Sequence, residues 1–464
     1  MEVLQRTANR GSIATGGYDI ANSLKFEEDN SEVIATTNQA AGDRKTWTFS
    51  AWVKRTEITY DYATIFGAEF TIIKFLGDDR LGLELYNGTY YSLITTQKFR
   101  DTSAWYHIVA VCDTTQATAS ERSRLYVNGE RVTVFDTSNS PPLNSEFAIG
   151  QAGSAGSGAW LRLGQFFAGS DYFNGYMAEV HYLNGTAAQA SDFGEYDSDS
   201  GIWIPKEYTG GGYGTQGFYY KFDNASNLGE DSSGEGHDAN SIINITSADQ
   251  ATDTPTNNFC TLNQVMLTQA NTVISQGATS LFSTGASGNT VVGTIGVSRG
   301  KWYWEFKDIN HGGTAYWPAI GYTSSESTDS TQTAGGNSGY PSHVALLPNG
   351  GTYSNGTIFG GKFNTFSPND IAGVALDMDN GNMYLYKNGT IQNSGNPIFT
   401  SIGDFAMPVG SVYLNPCGGY FNFGGFTSYT PASAESDANG YGTFEYAPPT
   451  GYYALCTKNL AEFG

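Results

Sequence analysis

SRLYVNGERVTVF, residues 123–135, alternates apolar and polar side chains on both sides of Asn128-Gly129. Leu125 and Val127 share one face, and Val132 and Val134 resume the alternation after the turn. A two-residue reversal needs positive φ at both central positions, which Asn-Gly supplies. The spacing therefore predicts a β-hairpin. LYVNG (125–129) returns as LYKNG (385–389), but the flanks differ. WYHIVAVCD precedes the first, and GVALDMDNG runs directly into the second. The pattern reads as two different sheets that reverse in the same way, not as an internal repeat.

The rest of the chain fits the same period. KTWTFSAWVKRT (45–56) puts Trp47, Phe49 and Ala51 on one face, and Trp52 begins a shift that suggests a two-sided strand. FNGYMAEVHYL (173–183) offers Phe173, Tyr176, Ala178 and Val180 to a core, and NGTAAQASDFGEY suggests a short helical turn near Ser191-Asp192. RGKWYWEFKDI (299–309) aligns Trp302, Trp304 and Phe306. No useful length shows a 3.6-residue period, and no β–α alternation occurs, so α/β barrels and dinucleotide folds are disfavoured.

Composition agrees. The chain has 464 residues, which predicts about two to four domains. It holds 58 glycines and 30 tyrosines, and its charged fraction is 15% against about 25% in ordinary proteins. Many aromatic residues exclude disorder and suit short strands joined by Gly, Asn, Ser and Thr turns. The fold expected is all-β: two antiparallel β-sandwich domains joined by an irregular, partly ordered bridge. Residues 1–22 read as an N-terminal arm that docks on other proteins, 23–195 as the first sandwich, and 196–290 as the bridge. Residues 291–464 read as the second sandwich, with a C-terminal strand in GYYALCTKNLAEF.

The net charge is −22, with only 23 Lys and Arg and no basic cluster, so nucleic acid is an unsuitable partner. MEVLQRTANRGS lacks the apolar core of a signal peptide, and no run of about 18 apolar residues predicts membrane insertion. Cys112, Cys260, Cys417 and Cys456 show no metal-ligand spacing, and whether Cys417 pairs with Cys456 stays open.

Three stretches, WYHIVAVCD, RLYVNGERV and GYMAEVHYLNG, resemble the laminin-G-like or concanavalin A-like jelly-roll lectins, over roughly residues 20–195. That resemblance implies a jelly roll that binds glycans or proteins on a shallow face or its rim. Many such proteins hold calcium on rim loops, which here implicates Asp78, Asp79 and Asp171 although no strict calcium signature is present; no cofactor is otherwise required. KWYWEF, AIGY, DIAGVALDMDNGNMYLYKNG and NFG resemble the SPRY family over about residues 290–430, which implies protein recognition through loops. The pairing of the two, with GSIATGGYDI and DFGEYDSDSGIWIPKEYTG between and around them, resembles proteins of tailed, especially marine, bacteriophages. It implies a virion-surface location in a tail, fibre or capsid-decorating protein. The implied partners are other virion proteins and host cell-surface polysaccharide, and a homotrimer is compatible with it.

Glycosidase chemistry needs two carboxylates about 5–9 Å apart. Glu84, Glu179, and the pair Glu305 and Asp377 are the strand acids to consider, and His107 is the best-placed histidine. No GxSxG, HExxH or phosphate loop accompanies them. No enzyme is therefore expected. Binding is favoured, with aromatic and amide candidates Tyr60, Tyr62, Asn87, Tyr90, Tyr91 and Trp160 in the first sandwich. Tyr316, Trp317, Tyr340 and Tyr353 are those of the second. A glycan depolymerase and a structural joint without ligand remain the alternatives.

Overall fold

The computed structural model describes residues 17–37, 40–58, 62–152, 160–166, 169–266, 271–285, 289–311, 318–324, 343–354, 357–413 and 416–464. They form two compact units that divide between Thr256 and Asn257. Each unit is built on two large, mainly antiparallel sheets.

In the first unit one sheet runs Glu130–Arg131, Ser123–Val127, Trp105–Asp113, Thr46–Arg55, Gly175–Asn184, Ser23–Phe26, Gln250–Ala251. Phe218–Tyr220 also pairs with Gly175–Asn184. The other sheet runs Phe135–Ser138, Tyr90–Lys98, Arg80–Tyr86, Thr71–Leu76, Tyr62–Ala68, Trp160–Leu163, Val33–Thr37, Ser241–Ile243. Alternate residues of both sheets meet in one core, where the Phe49 and Phe66 rings stack at 4.5 Å. Thr46–Arg55 is two-sided, as its sequence suggests: Trp47, Phe49, Ala51 and Val53 enter that core, while Thr48, Ser50, Trp52 and Lys54 are buried on the opposite face.

Gly175–Asn184 corrects the reading of its core residues. Glu179 has φ 50°, and the register with Thr46–Arg55 shifts between Ala178 and His181. That bulge inserts one residue and reverses the alternation. Met177, Val180 and Tyr182 therefore face the core with Phe173, while Tyr176 packs against Trp105 on the other side. The short turn at Ala190–Asp192 is a 3₁₀ helix with a Gln189–Asp192 capping box.

In the second unit one sheet runs Thr272–Ser275, Ser280–Ser283, Cys417–Asn422, Lys301–His311, Ile371–Asp377, Asn382–Lys387, Thr390–Ile391. The other runs Asn289–Val292, Met407–Val412, Ala319–Thr323, His343–Leu346, Thr352–Ser354, Thr357–Phe359. Trp302, Trp304 and Phe306 share a core with Val291, Ile320, Leu346 and Val412. The chain end differs from a plain strand. Tyr453–Ala454 pairs parallel to Lys301–His311, Cys456 bridges Phe259, and a helix follows at Thr457–Phe463. TKNLAEF is rich in helix formers, and Leu460 anchors its buried side.

Residues 196–290 are shared between the sheets rather than standing apart from them. Phe218–Tyr220, Ser241–Ile243 and Gln250–Ala251 pair in the first unit, and Thr272–Ser275, Ser280–Ser283 and Asn289–Val292 in the second. GFYYKF holds the one strand legible here, Phe218–Tyr220, and the others are too short, because two to four residues carry too little alternation to read. Of the N-terminal arm, residues 1–16 lie outside the described residues. Beyond them, Tyr18 OH meets Tyr219 OH at 2.8 Å and Ile20 N donates to Thr256 Oγ1 at 3.1 Å, both inside the first unit.

Both Asn-Gly hairpins form. Asn128 and Gly129 have φ 48° and 82°, and Asn388 and Gly389 have 48° and 75°. Each Asn also docks on the neighbouring strand. Asn128 Oδ1 accepts His107 N at 2.8 Å, and Asn388 Oδ1 accepts Ile371 N at 2.8 Å. An aromatic ring covers each glycine, Trp203 over Gly129 and Tyr446 over Gly389.

Candidate functional site

Among the described residues of the first unit, the sheet faces are unequally covered. The inner faces of both sheets are spent on the core. The outer face of the Thr46–Arg55 sheet lies beneath the chain that follows it. Val109, Val111, Tyr126 and Leu183 pack there against Ala188, Phe193, Tyr213 and Tyr219. On the same face Lys54 Nζ pairs with Asp253 at 2.7 Å, and Lys25 Nζ pairs with Glu32 and Asp249 at 2.8 Å each.

The outer face of the Tyr62–Ala68 sheet carries the remaining candidates. Alternation puts Ala63, Ile73, Phe75, Leu83, Leu85, Leu161 and Leu163 into the core and turns their neighbours outward. Tyr62 is 41% exposed, and Lys74 Nζ sits 4.2 Å from its ring centroid. The same ammonium is 2.9 Å from Glu84 Oε2. Tyr90, 47% exposed, packs on Tyr86 with ring centroids at 4.6 Å, and Tyr86 meets Phe70 at 5.1 Å. Further along the face the Arg162 guanidinium lies 5.6 Å from the Trp160 ring. Arg162 Nη1 donates to Gln165 Oε1 at 2.8 Å, and Gln165 Nε2 donates to Tyr172 OH at 2.6 Å. Burial lowers the Arg162 pKa, and burial with the Glu84 charge raises that of Tyr90. Aromatic faces flanked by guanidinium, ammonium, carboxylate and amide groups suit a polyhydroxylated ligand: rings take its C–H faces and polar groups its hydroxyls.

Of the residues singled out in the sequence, Tyr62, Tyr90 and Trp160 share this face, and Asn87 is exposed in the turn just before Tyr90. Tyr91 does not belong with them, because alternation turns it toward the core, where it packs on Phe147. Tyr353 lies on Thr352–Ser354, opposite Ala345 and Ile358. Tyr60, Tyr316, Trp317 and Tyr340 lie outside the described residues. Lys74, Tyr86, Arg162 and Gln165 were missed, and Glu84 was considered only as a catalytic acid. Lys74, Glu84, Tyr86 and Arg162 alternate with the core positions of TIIKFL, RLGLELY and WLRL, and that period was the available signal.

The three calcium candidates do not form a cradle. Asp79 is buried between Arg55 Nη1 at 3.1 Å and Arg100 Nε at 2.7 Å. Asp78 is held at 2.7 Å by Arg80 Nε, whose hydrogen bond lowers its pKa. Asp171 accepts Thr64 N on its backbone oxygen at 2.9 Å. Guanidinium groups already neutralise the two adjacent carboxylates, so they do not fit a cation. Among the described residues no group of three or more His, Cys, Asp and Glu is placed to hold a metal.

The strand acids have structural partners. Glu84 pairs with Lys74, and Asp377 pairs with Lys301 at 3.0 Å and caps Asn380. Glu179 Oε2 accepts Tyr219 OH at 2.5 Å and lies 3.7 Å from His181 Nε2. Glu305 accepts from Tyr303 and Tyr429 hydroxyls, from Asn422, and from the backbone of Glu445 and Tyr446. His107 has the wrong tautomer for a base toward Ser50. Trp203 Nε1 donates to its Nδ1 at 3.0 Å, so the proton sits on Nε2 and points at Ser50 Oγ, 2.9 Å away. Burial, then the His181 charge, pushes its pKa down to about 3. All four cysteines are buried free thiols, so Cys417 and Cys456 are not paired.

The family Laminin_G_3, of the concanavalin A-like lectin/glucanases superfamily, matches residues 28–191, the stretch that carries this outer face. No curated protein matches the chain. Among solved structures, the chain is similar to the SPRY domain of human HERC1, at 17% identity over 32% of this chain and 89% of that one, with a TM-score of 0.27. A putative carbohydrate binding protein from Bacteroides ovatus matches at 18% identity, over 49% of this chain and 60% of that one, with a TM-score of 0.33. The TRIM65 PSpry domain matches at 17% identity, over 37% and 93%, with a TM-score of 0.27.

Proposed function

We propose that the chain is a non-enzymatic binding component of a tailed-phage particle, displayed on the virion surface. Its first unit holds host cell-surface polysaccharide on an outer sheet face, and its second unit contacts neighbouring virion proteins. The observation that carries the reading is the outer face of the Tyr62–Ala68 sheet, where Tyr62, Tyr90 and Trp160 are set among Lys74, Glu84 and Arg162. The lectin-superfamily match over the same residues supports it. A depolymerase finds no support in the strand acids, each of which is satisfied by structural partners. Calcium has no part in this reading.

The test is a glycan array with the full chain, followed by titration of the best ligand. Trp160→Ala and Tyr90→Ala are expected to weaken binding at least about tenfold each, or about 1.4 kcal/mol. Glu179→Gln is expected to leave it unchanged. Release of short oligosaccharides from host polysaccharide, lost in Glu179→Gln, would overturn the non-enzymatic reading. An array without hits would overturn the glycan assignment.

A further inference from the structure

In the first unit the chain crosses from one sheet to the other just after the Asn128-Gly129 turn. Glu130–Arg131 pairs with Ser123–Val127, and Val132 N still donates to Leu125 O at 2.8 Å. The chain then leaves that strand, and Phe135–Ser138 joins Tyr90–Lys98 in the other sheet. A cleft of about 350 Å³ opens at the crossing. Leu93, Val132 and Phe135, at the fringe of the core, form its apolar wall. Ser120, Ser123, Ser138 and Ser140 also line it, as do Glu121, Arg124 and Arg131. These three charges differ in what they face. Arg131 Nη1 and Nη2 hold Glu121 Oε2 and Oε1 at 3.1 and 2.9 Å, and Nη2 also donates to Ser120 O at 3.0 Å. That pair neutralises itself. Arg124 has no hydrogen bond or ion pair among the described residues. Its Nε is buried, while its two Nη atoms keep accessible surface. Its charge acts on Asp113, but that carboxylate is committed to Thr115 Oγ1 at 2.6 Å and Gln116 Nε2 at 2.5 Å. A chain of net charge −22 thus keeps an unpaired guanidinium in a cleft, where it favours an anion.

We propose that this cleft takes an acidic sugar residue of a polysaccharide, with its carboxylate on the two Nη atoms of Arg124 and its ring against Leu93, Val132 and Phe135. The planar guanidinium fork matches a carboxylate, which accepts two parallel hydrogen bonds. Serine hydroxyls both donate and accept, so four of them on the walls favour a polyol over an acidic peptide. The volume lies within the roughly 300–1,000 Å³ of small-molecule sites. Arg162 on the outer sheet face points to the same class, since its partner is the Gln165 amide and no carboxylate pairs with it among the described residues. The inference rests on the reading of the first unit as polysaccharide-binding. It names the substrate class and adds a second point of contact.

Calorimetric titration of the full chain tests it with the methyl glycosides of glucuronic, galacturonic and mannuronic acid, the matching neutral hexosides, and N-acetyl-aspartate N-methylamide. At least one uronide is expected to saturate, at least about tenfold tighter than its neutral counterpart. Arg124→Gln removes a side chain that has no partner to lose. Ser138→Trp fills the cleft from an exposed position and leaves the charge in place. Each is expected to weaken that uronide at least about tenfold. Absence of saturable uronide binding, equal binding of the neutral hexoside, or binding that survives either substitution would overturn the proposal. Tighter binding of the aspartate diamide than of every uronide would overturn it in favour of an acidic peptide. The two sites fail separately. Uronide binding lost in Arg124→Gln and untouched by Trp160→Ala upholds the cleft and counts against the outer sheet face. Array hits confined to neutral glycans overturn the cleft alone.

Discussion

Replacing Asp308 with Asn should make the protein more stable at alkaline pH and change little at acid pH. Burial, then the Asp370 charge, raises the Asp308 carboxyl from its ordinary 3.8 to about 7. The native state thus keeps this proton up to about pH 7, and the unfolded chain releases it near pH 4. A group with a raised native pKa contributes stability that is complete below the unfolded value and lost as pH rises through the native one. Each factor of ten in acidity is about 1.4 kcal/mol, so full ionisation in place costs up to about 4 kcal/mol, and relaxation of the site reduces this to about 2 kcal/mol. The substituted amide carries no charge at any pH. Part of that cost, about 1.6 kcal/mol, is already reached at pH 5, so the stability gain of the variant over the parent should grow by about 1–3 kcal/mol between pH 5 and pH 8.5. For a unit of this size that is roughly 3–10 °C in the melting temperature. Scanning calorimetry of both proteins at the two pH values reads the difference of differences, in which the neutral effects of the substitution cancel. A gain equal at both pH values, or a variant less stable than the parent at pH 8.5, would refute the argument. The latter result would mean that His311 keeps Asp308 as a stabilised ion pair.

Two further outcomes follow from the first unit. Gly129→Ala places a Cβ 2.4 Å from the Trp203 ring at φ 82°, so it should destabilise by about 1–3 kcal/mol in urea titrations, whereas Gly88→Ala, in open space at φ 104°, should show only its backbone strain of about 1 kcal/mol. Lys54→Met leaves Asp253 buried without its cation and should cost about 3–5 kcal/mol, while the double change Lys54→Met with Asp253→Leu should recover most of it in the same assay.

The sequence exposed what alternation and turn chemistry encode. Long strands such as Thr46–Arg55 and Lys301–His311 and both Asn-Gly reversals were legible, because each carries a local signal of several residues. The cover over the first sheet was not. Trp203, Tyr213 and Tyr219 act by packing on residues distant in sequence, and a composition rich in Gly and Tyr hides which aromatic rings meet. The bulge at Glu179 was invisible for a related reason: one residue at positive φ reverses a face without changing composition. The candidate site was half legible. Aromatic residues stood out by type, but Lys74, Glu84 and Arg162 join them only through strand pairing. Asp308 was within reach, since the alternation through Trp302, Trp304 and Phe306 points the next position inward.

The two hairpins show where function can and cannot reside. In each, Asn-Gly reverses the chain, the Asn side chain ties the turn to the next strand, and an aromatic ring from a later segment closes over the Gly. The Asn side chain and the inner side of each Gly are thus used to dock the hairpin. Two groups that depart from such satisfaction lie elsewhere. One is the outer sheet face of the first unit, where the Tyr62 and Tyr90 rings stay in water. The other is the Asp308 carboxyl, buried with neither oxygen hydrogen-bonded. Both depart from what stability alone would select, in opposite senses: apolar rings left in water in one, a polar group left without a hydrogen-bond partner in the other.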